Sequence, residues 1–238
     1  MAALFISDLH LAPARPDITA AFEAFLRGPA LEGDSLYILG DLFEYWAGDD
    51  DLDDPFNARV VAALARCGVQ VPVLFMHGNR DFLAGERFAA AAGLRLVADP
   101  LVAQIGGRRT LIMHGDTLCT DDLEYQRFRE EVRSPAWARA FLALPLDERK
   151  RHIEQLRERS EAQKRVKPMT IMDVNPAAVE AALRTHGCER LIHGHTHRPG
   201  RHSLVVDGRP CERLVLGDWY QQGSHLSCTA GGCTSSAD

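Results

Sequence analysis

Short apolar runs recur along the chain, and each is followed at once by a cluster of polar residues. The runs occupy residues 2–6, 35–39, 71–76, 110–113 and 190–192. Apolar runs of this length, bounded by turn-forming residues, are typical of buried β-strands. The pattern therefore predicts five strands, each of which ends at a polar cluster.

Helical periodicity fills the spaces between the first strands. Asp17 is predicted to cap a helix whose apolar face includes Phe22. Asp54 as the cap and Pro55 at the first helical position open a second helix, which stops at Gly68. This alternation of strand and helix indicates an α/β fold with parallel strands and crossover helices.

The second half of the chain favours antiparallel pairing. Residues 102–113 and 204–216 are each predicted to form a hairpin with a glycine-containing turn. A further crossover helix is predicted from the Asn175 cap and Pro176 to Gly187.

Residues 121–167 differ from the sequence on either side. They lack a strand pattern, are dense in charge and carry two helical periodicities separated by prolines. We expect a helical insertion there, between core segments 1–120 and 168–224. After residue 224 the chain is rich in Ser, Thr, Gly and Ala, so residues 225–238 are predicted to be a disordered tail.

Composition narrows the functional classes. The chain has 238 residues, 46% of them hydrophobic, and a formal net charge of -6. That acidic balance argues against nonspecific binding of nucleic acid, which depends on Lys and Arg at phosphates. The start lacks a signal-peptide pattern, and no run approaches the roughly 20 apolar residues that span a bilayer. We therefore expect a cytoplasmic protein.

The cysteines are scattered without CxxC spacing. This distribution indicates neither a disulfide framework nor a zinc knuckle, and reduced, mostly structural thiols are expected. The six residues are Cys67, Cys119, Cys188, Cys211, Cys228 and Cys233.

The polar clusters contain the candidate chemistry. Strand alternation places residues two apart on one face, so Asp8 with His10, and His195 with His197, are natural chelating pairs. Sites in open α/β sheets form outside the carboxyl ends of the strands, where all five clusters would lie. The clusters are residues 7–10, 40–41, 77–81, 114–116 and 193–197.

Taken singly, each cluster has a plainer interpretation. A lone Gly-Asp after a strand is usually a turn, and histidines beside a glycine are often hydrogen-bonded loop residues. We expect that structural role for His77 and His193, each of which immediately precedes a glycine. The ordered set of five clusters, each closing an apolar strand, favours one shared metal site.

This ordered set resembles the calcineurin-like metallophosphoesterase superfamily, from residue 2 to about residue 224. Within it, the chain is similar to the family of lipid A pathway hydrolases that act on UDP-2,3-diacylglucosamine. The resemblance is carried by FISDLHL, GDLFEYW, HGNRDFL and MDVN, and by the helical insertion. It implies a four-layer α/β/β/α sandwich of mixed sheets with the insertion as a lid, and we expect a monomer.

The resemblance also implies two Mn²⁺ ions per chain, with Asp41 shared between them. An oxygen and nitrogen ligand set without thiolate suits Mn²⁺, although ligand type alone leaves zinc and iron open. Two divalent ions about 3.5–4 Å apart can clamp a phosphoryl group and lower the pKa of a shared water. One ion would be held by Asp8, His10, Asp41 and His197, and the other by Asp41, Asn79, His114 and His195.

The identity of the residue at position 80, an arginine, indicates what kind of leaving group the site would serve. Many relatives in the superfamily carry His at this position, where it can protonate an alkoxide, whereas Arg cannot donate a proton at neutral pH. A sugar phosphate leaving a diphosphate scarcely needs a proton, because its second pKa is about 6. Arg supplies a bidentate clamp on phosphate oxygens instead. The alternative is a structural salt bridge, for example to Asp81.

The insertion has two interpretations. Its aromatic and aliphatic residues either pack the helices together or, as the resemblance implies, line a chamber for two acyl chains. Ser160, Lys164 and Lys167 share one helix face. By resemblance the catalytic residues are Arg80, Asn79 and His195, and the substrate contacts are Asn79, Arg80, Asp122, Ser160, Lys164, Lys167 and His195.

Two charged segments complete the picture. Residues 148–167 are locally basic and suit anionic lipid head groups, which favours peripheral attachment to the cytoplasmic face of the inner membrane. A solvent-facing helix is the alternative. The aspartates within residues 49–54 are expected to form a solvated turn rather than a further cation site.

The reaction that the resemblance implies is hydrolysis of UDP-2,3-diacylglucosamine at the phosphorus nearer uridine, which yields UMP and the acylated sugar 1-phosphate. A phosphatase, cyclic-nucleotide phosphodiesterase or nuclease on the same site is the competing hypothesis, against which Arg80 and the aromatic insertion argue. A noncatalytic scaffold is disfavoured because all seven ligand positions carry competent ligands.

Overall fold

The structure is a computed structural model. It describes the backbone of residues 2–166, 171–220 and 223–237, and the side chains of these residues except 159–166 and 237. The strands are β1 (Ala3–Ile6), β2 (Ser35–Ile38), β3 (Val73–Met76), β4 (Arg95–Val97), β5 (Leu101–Ile105), β6 (Arg108–Met113), β7 (Arg190–His193), β8 (Gly200–Val206), β9 (Arg209–Val215), β10 (Ser224–Thr229) and β11 (Gly232–Ala237).

The helices include the predicted crossover helices and three helices within the segment 121–167. They are α1 (Pro16–Arg27), α2 (Pro55–Gly68), α3 (Glu86–Ala92), α4 (Leu123–Val132), α5 (Pro135–Leu142), α6 (Leu146–Val166) and α7 (Pro176–His186). Of these, α4, α5 and α6 follow one another between β6 and α7 along the chain.

Two of the three predicted helix N-caps are confirmed. Asp54 accepts hydrogen bonds from the first turn of α2, and Asn175 does the same for α7. The prediction for Asp17 is wrong, because α1 already begins at Pro16. The fixed φ of Pro16 suits the first helical position and places Asp17 inside the first turn, where its charge still favours the helix dipole.

The strands form two mixed sheets. The first has the order β11-β10-β1-β2-β3-β4, in which β1 to β4 are parallel. The second has the order β5-β6-β7-β9-β8, in which β6, β7 and β9 are parallel and the edge strands are antiparallel. The antiparallel edges are the two hairpins that the glycine-containing turns predicted.

Three apolar clusters lie between the layers of helices and sheets and pack them together. One packs α1, α2 and α3 on the first sheet through residues such as Phe22 and Phe75. The second joins the two sheets, where Phe5 of β1 and Ile192 of β7 belong to one cluster. The third packs α7 on the second sheet through Leu183. Helix, sheet, sheet and helix thus form the α/β/β/α sandwich.

The prediction of a disordered tail over residues 225–238 is wrong. Strand β10 pairs antiparallel with β1, and β11 pairs with β10. Leu226 and Cys228 alternate with polar residues, and both are buried in the core between the sheets. The polar composition hid this alternation, because only one face of the added strand meets the core.

The expectation of reduced thiols also fails at the end of the chain. Cys228 and Cys233 face each other across β10 and β11 and form a disulfide. The free cysteines are buried, as structural thiols should be, and they are Cys67, Cys119, Cys188 and Cys211. Sequence spacing could not show this pair because the cross-strand register creates it.

Candidate active site

The loops that follow the strands lie side by side at one end of the sandwich. His10 N donates to Asp41 O at 3.0 Å, which joins the loops after β1 and β2. Gly194 N donates to His114 O at 2.9 Å, which joins those after β7 and β6. His195 N donates to Asp8 Oδ2 at 2.8 Å, and this hydrogen bond links the two sheets. The predicted convergence at the strand ends is confirmed.

Glycine beside the ligands permits this close approach, as predicted. A Cβ atom at Gly194 would collide with the side chains of Ser7 and Asp8. A Cβ atom at Gly78 would collide with the Asp41 carboxylate. Both positions therefore require glycine for steric reasons.

The backbone is strained at most of the candidate ligands. Left-handed φ angles occur at Asp8 (56°), His10 (50°), Asp41 (51°), His195 (67°) and His197 (53°). Among the described non-glycine residues, a positive φ is otherwise found only at Asp207 in a hairpin turn. Such conformations are costly and cluster at functional sites, where the surrounding structure imposes them.

This conformation corrects one part of the spacing argument. Strand alternation paired His195 with His197, but β7 ends at His193 and both residues lie in the loop beyond it. His197 joins Asp8 and His10, whereas His195 joins Asp41 and His114. Strand alternation therefore does not direct these two side chains, because both lie beyond the end of the strand.

The first group contains Asp8, His10 and His197. The Nε2 atoms of the two histidines lie 3.3 Å apart, and His197 Nε2 lies 3.5 Å from Asp8 Oδ1. Asp8 Oδ2 already accepts hydrogen bonds from Ser7 and His195, while the buried Oδ1 accepts none among the described residues. Three converging donor atoms of this kind fit a divalent cation.

The second group contains Asp41, His114 and His195. His114 Nε2 lies 3.8 Å from Asp41 Oδ1 and 3.0 Å from Asn79 Oδ1. The other oxygen of Asp41, Oδ2, lies 3.8 Å from His10 Nε2 in the first group. Asp41 therefore presents one oxygen to each group, and the site fits a dinuclear metal centre.

Groups outside the two clusters orient their imidazoles. Glu44 Oε2 lies 3.4 Å from His10 Nδ1, and Asp218 Oδ2 lies 3.4 Å from His197 Nδ1. His114 Nδ1 lies 2.7 Å from the Leu39 carbonyl and donates to it. Such partners fix the tautomer and ring orientation of metal-binding histidines.

Sequence reasoning missed both Glu44 and Asp218. Asp218 had a usable signal, because Gly217-Asp218 follows β9 as Gly40-Asp41 follows β2. Glu44 lies within the quoted GDLFEYW segment, but nothing in its spacing distinguishes it from a surface carboxylate.

Burial and charge shift the pKa values around the site. Burial lowers the pKa of His195 to about 4, and neighbouring His114 adds to the effect. Burial also opposes protonation of His114, yet the Asp41, Asp116 and Asp8 carboxylates raise its pKa to about 9. A neutral imidazole such as that of His195 is the form that binds metal.

The aspartates of two motifs are structural. Asp81 accepts hydrogen bonds from the backbone of Gly78 at 2.9 Å and Leu42 at 2.8 Å, so it ties the loops after β2 and β3 together. Desolvation by burial, followed by the nearby Asp41 charge, raises the pKa of Asp81 to about 6. The sequence also allowed a structural salt bridge from Arg80 to Asp81. In the structure, the described ion pair of Arg80 is with Glu44, whose Oε1 lies 3.9 Å from Arg80 Nη1.

Asp116 anchors the insertion to the site. Its fully buried carboxylate accepts hydrogen bonds from the Tyr125 hydroxyl at 2.8 Å and from Arg129 Nε at 2.7 Å. The Tyr125 ring stacks on His195, with 5.9 Å between the ring centroids. Helix α4 is thereby held against the second group.

The structural roles expected for two other histidines are confirmed. His77 Nε2 lies 2.6 Å from the Ala84 carbonyl, and His193 Nδ1 lies 2.8 Å from the Gly194 carbonyl. Burial lowers the pKa of His193 to about 3, which keeps the ring neutral.

A cavity of about 570 Å³ runs from the two groups to the insertion helices. His10, Asp41, Asn79, His195 and His197 line its polar end. Its apolar wall includes Phe82, Phe128, Val132, Trp137, Phe141, Ile153 and Leu156, most of which belong to the insertion. The packing of helices around an open apolar space favours the chamber interpretation over simple helix-to-helix packing.

The predicted substrate contacts are only partly visible. Arg80 and Asp122 line the cavity with the ligands named above. Asp122 also caps α4 by accepting a hydrogen bond from Tyr125 N at 3.0 Å. Ser160 and Lys164 belong to α6, but their side chains, and Lys167 altogether, lie outside the described residues.

The acidic loop is not the solvated turn that the sequence suggested. Arg149 of α6 is 1% exposed and forms an ion pair with Asp50. Lys150 Nζ lies 2.7 Å from Asp51 Oδ1. The loop therefore anchors the start of α6, and cations of the protein itself occupy the positions where a further metal was considered.

The fold and the paired donor groups define a metallophosphoesterase. The chain belongs to the calcineurin-like phosphoesterase family, whose profile matches residues 1–199. This match confirms the family resemblance found in the sequence.

Within the family, the chain is similar to proteins named UDP-2,3-diacylglucosamine hydrolase. The protein from Aromatoleum aromaticum is 55% identical over 228 residues, which cover 95% of this chain and 92% of the relative. Those from Aeromonas salmonicida and Stenotrophomonas maltophilia are 51% and 49% identical, with 97% and 98% of this chain covered and 91% and 96% of the relatives. The covered share of the chain is too large for the helical insertion to be left out.

Proposed function

We propose that the protein hydrolyses UDP-2,3-diacylglucosamine in lipid A biosynthesis. Water attacks the α phosphorus, the bond from that phosphorus to the bridging oxygen breaks, and UMP and 2,3-diacylglucosamine 1-phosphate leave. The single observation that carries the proposal is the cavity, which joins the paired donor groups to an apolar chamber under the insertion. Relatives about half identical over nearly the whole chain carry the name of this activity.

The metal ligands follow the two groups. The first ion would be held by Asp8, His10, Asp41 and His197, and the second by Asp41, Asn79, His114 and His195. The bound pair would supply positive charge to the phosphoryl oxygens and make a coordinated water acidic.

Mn²⁺ is the metal proposed for both positions. Oxygen and imidazole donors without thiolate suit it. Cys119 lines the cavity, but burial raises the pKa of its thiol to about 12, so no thiolate competes for the metal at neutral pH.

Three residues act on the diphosphate itself. Arg80 is 12% exposed at the edge of the cavity and would clamp phosphate oxygens, neutralising the charge of the leaving sugar phosphate. Asn79 and His195 lie at the second group and would orient the attacked phosphorus. Arg80 N donates to Asp41 Oδ1 at 2.8 Å, which fixes the clamp relative to the shared ligand.

The remainder of the substrate would extend along α4, α5 and α6. Trp137 and Phe141 are stacked with 4.5 Å between their centroids and would contact the acyl chains. Asp122, Ser160, Lys164 and Lys167 are the proposed contacts for the head group, on the basis of their positions in the family resemblance.

We further propose peripheral attachment to the cytoplasmic face of the inner membrane, where a diacylated substrate resides. None of the described helices combines the length and apolar character needed to cross a bilayer. Arg149, Lys150 and Arg157 pair with acidic groups of the core, and the other basic residues of the segment 148–167 would meet anionic lipid head groups. Monomeric action remains part of the proposal.

Turnover of UDP-2,3-diacylglucosamine with Mn²⁺ tests the assignment. We expect rapid release of UMP, with much slower release from UDP-sugars that lack acyl chains and little turnover of p-nitrophenyl phosphate. Comparable rates on the unacylated compounds would contradict the lipid assignment while leaving the metal centre in place.

A further inference from the structure

Glu44 is the point at which the metal centre and the insertion meet. Its carboxylate is largely buried, with 16% of the side chain exposed. One oxygen, Oε2, faces His10, and the other, Oε1, faces Arg157 of α6.

The Glu44 carboxylate lies beside the remote nitrogen of His10, a buried atom that has no hydrogen-bond partner among the described residues. Glu44 Oε2 lies 3.4 Å from His10 Nδ1, and Glu44 N donates to Leu11 O at 3.0 Å. A carboxylate on the remote nitrogen of a metal-binding imidazole orients the ring and increases its basicity. The position of the Glu44 carboxylate therefore controls how His10 Nε2 is presented to the first ion.

The link from Glu44 to α6 runs through Arg157. Arg157 Nη2 lies 2.9 Å from Glu44 Oε1, and its guanidinium lies over the Tyr45 ring at 5.9 Å from the centroid. Arg157 also lines the cavity. The start of α6 is fixed separately, through Arg149 and Lys150 on the acidic loop.

The Glu44 carboxylate faces His10 through Oε2 and Arg157 through Oε1, which also lies 3.9 Å from Arg80 Nη1. Because the two oxygens belong to one rigid carboxylate, a displacement at Arg157 changes the orientation available to His10. We propose that Glu44 is a positioning residue through which substrate binding beneath α6 and metal binding in the first group strengthen each other. Coupling of this kind is reciprocal by thermodynamic necessity. The substrate half of the proposal rests on the proposed function, whereas the metal half does not.

Mn²⁺ binding measured by calorimetry on the full-length protein, without substrate, tests the metal half. We expect Glu44→Gln to weaken one of the two sites about 10- to 100-fold, as is usual for loss of an outer partner. Arg157→Gln should weaken the same site less, and Arg157→Lys should restore it. In the Glu44→Gln background, Arg157→Gln should have no further effect.

Two matched controls separate coupling from general damage. Glu23→Gln removes a carboxylate paired with Arg59 at 2.6 Å between α1 and α2, away from the site, and should leave Mn²⁺ affinity unchanged. Asp218→Asn removes the partner of His197 and should weaken Mn²⁺ binding, but Arg157→Gln should keep its full effect in that background. Circular dichroism in EDTA checks that each variant is folded.

Kinetics test the substrate half. In the wild type, KM for UDP-2,3-diacylglucosamine should fall as Mn²⁺ is raised from limiting to saturating concentrations. Arg157→Gln and Glu44→Gln should each reduce this dependence, and the direct contribution of the metal charge to substrate binding should remain.

The proposal is overturned if Glu44→Gln leaves Mn²⁺ affinity unchanged, or if Arg157→Gln acts equally in both Glu44 backgrounds. A wild-type protein that binds two Mn²⁺ ions but does not hydrolyse UDP-2,3-diacylglucosamine would overturn the proposed function instead. The two failures are therefore distinguishable.

Discussion

The Nε2 atoms of His10 and His197 lie 3.3 Å apart, although 187 residues separate them in the chain. The Nδ1 atom of each ring lies 3.4 Å from a carboxylate oxygen, of Glu44 for His10 and of Asp218 for His197. Two imidazoles directed at one point from opposite sheets form a binding position that exists only in the folded chain. The predictions below follow from this arrangement and its surroundings.

Asp41→Ala should abolish activity, because Asp41 presents one oxygen to each group of donors. Loss of the shared ligand should release both ions, which inductively coupled plasma mass spectrometry of the purified variant would show. His197→Ala is the matched comparison, since it touches only the first group and should lower the metal content by about half. Near wild-type turnover of Asp41→Ala would rule out the bridging role.

Arg80→Ala should lower kcat by about 10²–10³-fold, the usual cost of removing one preorganised charged or hydrogen-bonding group at a transition state. Metal content should stay at the wild-type level, since the side chain of Arg80 belongs to neither group of donors. Steady-state kinetics with parallel metal analysis check both points. Departure of both metals would show that Arg80 supports the centre rather than the phosphate.

Asp116→Asn should reduce the free energy of unfolding by about 1–3 kcal/mol, because a buried acceptor for Tyr125 and Arg129 loses its charge. Urea denaturation measures the change. Asp207→Asn is the control, because Asp207 pairs with Arg184 on the exposed surface, where an ion pair contributes little. Equal effects of the two substitutions would show that the buried Asp116 carboxylate contributes no more to the free energy of unfolding than an exposed ion pair does.

Trp137→Ala should raise KM for UDP-2,3-diacylglucosamine by roughly 10-fold or more, which corresponds to about 1.4 kcal/mol of lost contact with the acyl chains. Turnover of an unacylated UDP-sugar should change little. Leu123→Ala is a control on the same insertion, since Leu123 is 64% exposed and lies outside the wall of the cavity. A parallel loss on both substrates would contradict a contact with the acyl chains.

Reduction of the Cys228–Cys233 disulfide should lower the free energy of unfolding by about 2 kcal/mol, through the added entropy of the unfolded chain. Urea denaturation with and without a reducing agent measures the loss. The Cys228→Ser/Cys233→Ser double variant should show no response to the reducing agent. Titration of six rather than four thiols in the unreduced, denatured protein would contradict the disulfide.

The sequence predicted the core strands and the crossover helices, and it predicted that the polar clusters converge at the strand ends. These features depend on local chemistry, since an apolar run buries itself and a polar cluster such as residues 77–81 ends it. The prediction of a disordered tail failed because only one face of that segment is apolar, and this face is buried. Strand β10 is polar in composition, yet it buries Leu226 and Cys228 against a sheet that is distant in the chain.

The prediction of a solvated turn for the acidic loop failed for a similar reason. Nothing near Asp50 and Asp51 in the sequence shows that α6, about a hundred residues later, brings Arg149 and Lys150 against them. Charge along a chain predicts solvation unless a distant partner of opposite charge is known. Long-range ion pairs of this kind are set by the packing of the insertion on the core.

By itself, the sequence determined which residues are chemically able to bind metal and that they close neighbouring strands. Spacing paired His195 with His197, and the family resemblance assigned them to different ions. The tertiary structure places them in different groups, because both lie in the loop beyond β7 and not in the strand. It also placed Glu44 between His10 and Arg157. The physical reason is the same in both cases: loop conformation and contacts between distant elements depend on three-dimensional packing, which local sequence pattern does not specify.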